Sequence, residues 1–441
     1  MAATQKILQQ LRAFESRNIT FTEADGSWPI VWERARGVHV WDAAGKKYLD
    51  LTAAFGVAAA GHANPNVVQA GQKQMARLLH AMGDVHPHAL KAQLARELSR
   101  LTFERWSRLT KHDSRRTPSR LTGKIIFSNS GFEAVESALK TAVLATGKPG
   151  VIAFAGAYHG LGYGALNTTH RQHFRSPFRS QLREFGQFAT FPTRPEQLPA
   201  VERQLRQLLR RQKIGAILAE PIQARGGINL PPPEFLPLVR RLCDEHGALL
   251  ILDEIYTGFG RTGKWFACEH SGVVPDLICL GKALTGGFPL SACVGRAGLM
   301  DAAWPAATGE AIHTSTFLGH PVGCAMALAQ IKEIQRLKLC EQSASLGVAL
   351  LKQLSDLPSP ASCHISTRGL GLMVGIELTL PNGKPAMQIS LNAIKTLLHH
   401  GYIFLPEGEH ANIISFTPPL TITRAQLTRS VAALKKVLSQ E

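Results

Sequence analysis

The chain contains no run of about 18 apolar residues, so no membrane-spanning helix is expected. It also lacks internal repeats and low-complexity tracts, which excludes a solenoid or a disordered tail as its main architecture. The opening Met1-Ala2-Ala3-Thr4-Gln5-Lys6 leads into no hydrophobic signal core, so a cytoplasmic protein is expected. The seven cysteines (243, 268, 279, 293, 324, 340, 363) include no close pair of metal-ligand spacing. They read as small core residues of a reducing compartment, with neither disulfide nor metal expected. Acidic residues are few, 32 against 49 Lys and Arg, which leaves a net charge of +17. Charge of that sign steers anionic substrates, cofactors or nucleic acid. The Arg-rich stretches at 100–120 and 203–211 carry no base-stacking aromatic motif, so nucleic acid is not an expected partner.

What is present belongs to a globular enzyme: 45% apolar and 18% charged residues over 441 positions, enough for two or three domains. Residues 1–65 read as an N-terminal arm, with two short strands in Val38–Leu51 joined by a turn at Ala44-Gly45. Helical periodicity runs from Pro65 to Leu101, and Arg105–Gly123 reads as an exposed loop or insertion. From Lys124 to Pro321 apolar runs at 125–127, 151–154, 216–219, 249–252 and 277–280 alternate with helical stretches. That alternation predicts a largely parallel sheet covered on both faces. A helix over Pro321–Leu337 and a mixed segment containing a strand at 372–378 follow. The division expected is 1–65 (part of a small domain), 66–325 (large cofactor-binding domain) and 326–441 (C-terminal small domain, packed with the N-terminal arm).

Ser130, Tyr158, Glu220, Asp253 and Lys282 each fall just after one of those apolar runs. Ligands of such sheets gather at the carboxyl ends of the strands. Lys282, flanked by Gly281 and by Gly286-Gly287, is an amine in an apolar setting that lowers its pKa and frees it for imine formation. Asp253, 29 positions earlier (282 − 253), is a carboxylate that can keep a pyridine nitrogen protonated. Ser130-Gly131-Phe132 opens a helix whose first N–H groups suit a phosphate. Tyr158 offers a ring to stack on a cofactor, with His159 beside it, and Tyr256 a hydroxyl for a ring oxygen. Glu220, before Pro221, needs a partner such as Arg225. Each residue alone has a plainer explanation: a helix cap for Ser130 or Asp253, a loop lysine, a core histidine. Together they supply what pyridoxal 5′-phosphate requires, namely an amine, an anion, a phosphate cradle and a ring platform.

Ser130-Gly131-x-Glu133-Ala134, Tyr158-His159-Gly160, Glu220-Pro221-Ile222-Gln223, Asp253–Gly263 and Gly281–Gly287 resemble class III pyridoxal phosphate-dependent aminotransferases. That family includes the ornithine, acetylornithine and ω-amino acid enzymes. The likeness runs from about Trp28 to Leu420, with the motifs in family order. It implies an α/β chain of fold type I, working as a homodimer with shared active sites. It implies ping-pong transfer of an amino group to a carbonyl acceptor through a Lys282 Schiff base. Ser315 and Thr316 resemble the segment that reaches the phosphate of the neighbouring subunit's cofactor.

Two departures bear on substrate. Ser415, two residues before Thr417-Pro418-Pro419-Leu420, stands where many family members have a carboxylate-binding arginine. A serine cannot make that bidentate pair, so either Arg225 replaces it or the substrate lacks the carboxylate. Phe132 stands where the family often has threonine, removing a hydroxyl from the phosphate cradle. Phe55 and Val57 complete the candidate substrate contacts. A racemase of the same fold is the alternative, but it needs a second base, and the stretch where the family's racemases carry an aspartate reads Ala224-Arg225-Gly226. A non-catalytic basic nucleic-acid-binding or regulatory protein is a third reading, motivated by the +17 charge and opposed by the Lys282–Asp253 pair.

Overall fold

The computed structural model describes residues 2–23, 26–109, 121–211 and 213–440. Fifteen strands occur among the described residues. Near the N-terminus lie β1 (Trp32–Arg36), β2 (His39–Asp42) and β3 (Lys47–Asp50). The central strands are β4 (Gly123–Ser128), β5 (Gly150–Phe154), β6 (Gly186–Ala189), β7 (Ile214–Ala219), β8 (Leu249–Asp253), β9 (Leu277–Leu280) and β10 (Ser291–Arg296). Then follow β11 (His364–Leu370), β12 (Met373–Thr379), β13 (Tyr402–Ile403), β14 (Leu405–Glu407) and β15 (Ile413–Phe416).

The central strands form one seven-stranded sheet in the order β4-β10-β9-β8-β7-β5-β6. Pairing is parallel throughout except at β10, which runs antiparallel to both β4 and β9. Alternate residues of each strand serve different cores. Ile217, Leu250, Leu252, Ile278 and Leu280 pack with Leu205, Val239 and Leu242 on one face. Ala216, Leu218, Ile251, Leu277 and Cys279 meet Ala134, Val135 and Ala138 of the helix Gly131–Thr146 on the other. Burial on both faces is why the strands read as unbroken apolar runs rather than alternating ones. Leu250 and Leu252 are fully buried, and removing such a side chain typically costs about 2–5 kcal/mol.

The smaller sheets flank this body. One has the order β1-β2-β3-β13 and the other β11-β12-β15-β14. The β2–β3 turn closes because Asp42 Oδ1 accepts the N–H groups of Ala44 and Lys46, each at 2.9 Å, while Gly45 takes φ +82°. The parallel pairing of β13 with β3 joins residues 353 positions apart (402 − 49), so the N-terminal arm is completed by the C-terminal segment.

Several expectations need correction. The periodicity over Pro65–Leu101 is two helices, Pro65–Arg77 and Ala89–Leu101. Pro87 disfavours helix at the residue before it, and His88 restarts the next helix by accepting the Lys91 N–H. The supposed loop after Arg105 begins within the helix Phe103–Leu109, where Phe103 and Trp106 are buried and Trp106 Nε1 donates to Glu269 at 3.1 Å. Residues 110–120 of that stretch lie outside the described residues, as does part of the Arg-rich region, and Gly123 already opens β4. Strands β6 and β10 were not foreseen, because Gly186-Gln187-Phe188-Ala189 and Ser291–Arg296 carry no apolar run of useful length. All seven cysteines are free and buried. Among the described residues no helix is long and apolar enough to cross a membrane.

Candidate active site

A cavity of ≈ 420 Å³ opens at the carboxyl ends of the parallel strands. Five loops line it: Gly131 and Phe132 after β4, Tyr158 to Leu161 after β5, Glu220 to Arg225 after β7, Asp253 to Thr257 after β8, and Lys282 after β9. Local geometry sets each group. Asp253 closes β8 and is buried; its Oδ1 accepts the Ile255 N–H at 3.1 Å. Its Oδ2 lies 2.8 Å from His159 Nδ1, so the histidine orients the carboxylate. The other ring nitrogen, His159 Nε2, is buried without a partner.

Lys282 follows Gly281 with φ +35° and starts a short helical turn. Its Nζ sits 4.8 Å from the centroid of the Tyr256 ring. Burial pushes this amine below the usual lysine range, against the pull of Asp253, Glu220 and Glu407 and with a smaller push from Arg225. Glu220 is held by the N–H groups of Tyr158 (3.1 Å) and Ala224 (3.0 Å), and burial raises its pKa to about 7. The arginine suggested as its partner is engaged elsewhere: Arg225 Nη1 lies 3.1 Å from Glu407 Oε2. Glu407 is buried at the end of β14, and burial raises its pKa to about 7 despite Arg225, Lys282 and Arg171 nearby.

A family profile described as aminotransferase class III matches residues 20–438. The chain belongs to the class III aminotransferases. It is 34% identical to an acetylornithine aminotransferase of Methanosarcina mazei, over 93% of this chain and 92% of that one. It is 35% identical to a 5-aminovalerate aminotransferase of Pseudomonas aeruginosa (93% and 94% covered) and 38% to a putrescine aminotransferase of Pectobacterium atrosepticum (94% and 84%). Among solved structures, an (S)-enantioselective ω-transaminase from Thermomicrobium roseum superposes with TM-score 0.87 at 27% identity, covering 99% and 98% of the two chains. A pyridoxal phosphate-bound amine transaminase from an uncultivated Pseudomonas species gives 0.85 at 29%, covering 97% and 98%. The fold is therefore that of pyridoxal phosphate transaminases, and the protein is an aminotransferase that uses this cofactor. These relatives are transaminases, and nothing among them supports the racemase alternative.

The residues of this aminotransferase fit the cofactor. The cavity offers an amine with lowered basicity, an oriented carboxylate, the start of the helix Gly131–Thr146, and a buried ring nitrogen still without a partner. Gly160 takes φ +113° beside Phe132, where a Cβ would lie 2.3 Å from the phenylalanine Cβ, so only glycine closes that wall. Ser130 caps the helix, its hydroxyl and N–H both donating to Glu133 Oε2 at 2.7 Å. The Tyr256 hydroxyl is turned to Thr417 Oγ1 at 3.2 Å, so the cavity meets its ring.

Not every expected residue gathers at this cavity. Phe55 is half exposed, Val57 partly so, and neither lines it. Ser415 is buried in β15 and donates to the Leu405 carbonyl at 3.2 Å. Thr316 is exposed and Ser315 partly exposed, both outside this cavity. Sequence reasoning missed Glu407 and Thr417, since residues 182 and 161 positions from their partners leave no local pattern.

Proposed function

We propose that this aminotransferase takes an ω-amino acid or amine as donor, with Lys282 as the working amine and Arg225 as the carboxylate-recognising group. Bound pyridoxal phosphate supplies an electron sink for the carbon next to the transferred nitrogen. Lys282 would anchor the cofactor, and its free amine would hold and return the substrate proton at Nζ. Asp253, steadied by His159, would be the carboxylate that pairs with the pyridine nitrogen. The helix start at Gly131 and Phe132 would hold the phosphate through backbone donors, the Ser130 hydroxyl being spent on Glu133; Tyr158 would cover the ring, and Glu220 ties the loop after β5 to the loop after β7 through the N–H groups of Tyr158 and Ala224.

The observation behind the donor assignment is the Arg225–Glu407 pair. Arg225 lines the cavity, and burial opposes ionisation of its partner Glu407, so the guanidinium is placed to exchange that partner for a substrate carboxylate. Relatives named for 5-aminovalerate and putrescine aminotransfer agree with a terminal amine as donor. Adding candidate donors to the yellow holoenzyme and following loss of its colour tests this. ω-Amino compounds should bleach it while glutamate does not. Arg225→Ala should raise KM for a carboxylate-bearing donor about 10–100-fold, the equivalent of one charged hydrogen-bonded pair, and leave putrescine nearly unchanged.

The reading includes a homodimer. Leu78, Leu79, Met82 and Val85 are exposed, and Phe317 joins them through His80 at 5.3 Å between ring centroids. Exposed apolar side chains gathered on this segment and near Phe317 suit a second copy of the chain. Ser315 and Thr316 precede Phe317 in the chain and are at least partly exposed, so in such a dimer they would reach toward the partner's phosphate. Met82→Glu with Phe317→Glu should give monomers by light scattering and weaken cofactor retention. The division 1–65, 66–325 and 326–441 and a cytoplasmic location complete the proposal; the pairing of β13 with β3 supports grouping the two chain ends.

A further inference from the structure

We propose that the turn Ala53–Gly56, clamped by Asp50 and His62, is a positioning device that holds the Tyr256 ring against the Lys282 amine. The proposal rests on Lys282 being the working amine, and its test separates the two.

Ala53, Ala54, Phe55 and Gly56 have φ of +48°, +50°, +61° and +79°. This is a run of left-handed backbone in which only the last residue is glycine. L-residues visit that region singly and at a cost, because Cβ crowds the following carbonyl. A series of them persists only where surrounding contacts over-determine it, and such strain gathers where geometry matters to function.

The clamp is visible. Asp50 is fully buried. Its Oδ1 accepts the Thr52 N–H at 2.8 Å and the Thr52 hydroxyl at 2.6 Å. Its Oδ2 accepts the Ala54 N–H at 3.2 Å and lies 2.7 Å from His62 Nε2. Trp32 closes over His62 edge-on, with ring centroids 5.8 Å apart.

The opposite side of the turn touches the catalytic cavity. Gly56 lies so close to Tyr256 that a Cβ there would sit 2.9 Å from Cε1. The Thr417 hydroxyl lies 3.4 Å from the Thr52 carbonyl and 3.2 Å from the Tyr256 hydroxyl. The phenol is therefore gripped twice by one turn: at its ring by Gly56, and at its hydroxyl through Thr417. The Lys282 Nζ lies 4.8 Å from the centre of that ring. A ring held there keeps water from the amine and limits where Nζ can point. Glycine at 54 would accept these angles with less strain, and it would also let the turn leave them.

Ala54→Gly in the full-length protein removes no atom of the clamp, so its unfolding midpoint should equal or exceed that of the parent. In the holoenzyme kcat should fall about tenfold with KM within about twofold, as expected of a misplaced reacting group. In the cofactor-free protein, labelling of Lys282 by an amine-reactive reagent, followed against pH by peptide mass spectrometry, should show its midpoint raised by about one unit as water reaches the amine. Asp50→Asn should shift both quantities the same way and further. A folded Ala54→Gly with kcat or labelling midpoint at the parent value overturns the proposal. If Lys282→Ala keeps its activity, the assignment of the amine fails instead.

Discussion

Lys282→Ala is expected to lower kcat for transamination by about 10³-fold or more, the largest loss of any single replacement at this site. Two functions end together. Alanine offers no amine to hold the cofactor, and no base within reach of the substrate carbon replaces Nζ. Positioned proton transfer alone contributes about 10²–10⁴-fold. The other ionisable groups of the cavity do not substitute: Glu220 is tied to two backbone N–H groups, Asp253 to His159, and Arg225 is a cation engaged by Glu407. The variant should fold, since the Tyr256 ring, Gly281 and β9 lose no backbone contact. Stopped-flow measurement of a single half-reaction, with and without added methylamine, checks this. A small amine should recover part of the proton transfer, and a kcat within tenfold of the parent would exclude Lys282 from the role.

Asp253→Asn should cost about 10²–10³-fold in kcat with little change in KM, comparable to removing one preorganised electrostatic contact from a catalytic site. The replacement keeps the shape. It retains an oxygen for the Ile255 N–H, yet takes away the only charge that His159 orients toward the cavity. A neutral amide cannot hold a pyridine nitrogen cationic, so the loss falls on the chemical step rather than on binding. His159→Gln should show the same split at smaller size, because it disturbs the direction of the carboxylate and not its charge. Equal kcat for Asp253→Asn and the parent would remove the carboxylate from the mechanism.

Much of the sheet was legible because its strands are short apolar runs buried on both faces, as at Leu249–Leu252 and Leu277–Leu280. The chemistry-bearing residues stood at the ends of those runs, which is where a parallel sheet gathers ligands. What escaped was of two kinds. Edge and antiparallel strands such as β6 and β10 borrow their stability from neighbours and show weak patterns of their own. Long-range partners escaped too. The sequence offers Arg225, five residues away, as one candidate partner for Glu220, while the structure pairs it with Glu407. The gap between Arg77 and Ala89 was readable in principle, because Pro87 within it disfavours helix at the residue before it.

Local sequence alone determined the strand–loop sites at 130, 158, 220, 253 and 282 and the family to which their spacing belongs, because those groups depend on apolar runs and turns a few residues long. Only the folded chain decided which carboxylate each basic group meets, where Ser415 and Tyr256 direct their hydroxyls, and why four residues at 53–56 take left-handed angles. The Arg225 and Tyr256 pairings join residues 182 and 161 positions apart, and even the shorter links depend on how strands and turns pack, which no local pattern encodes.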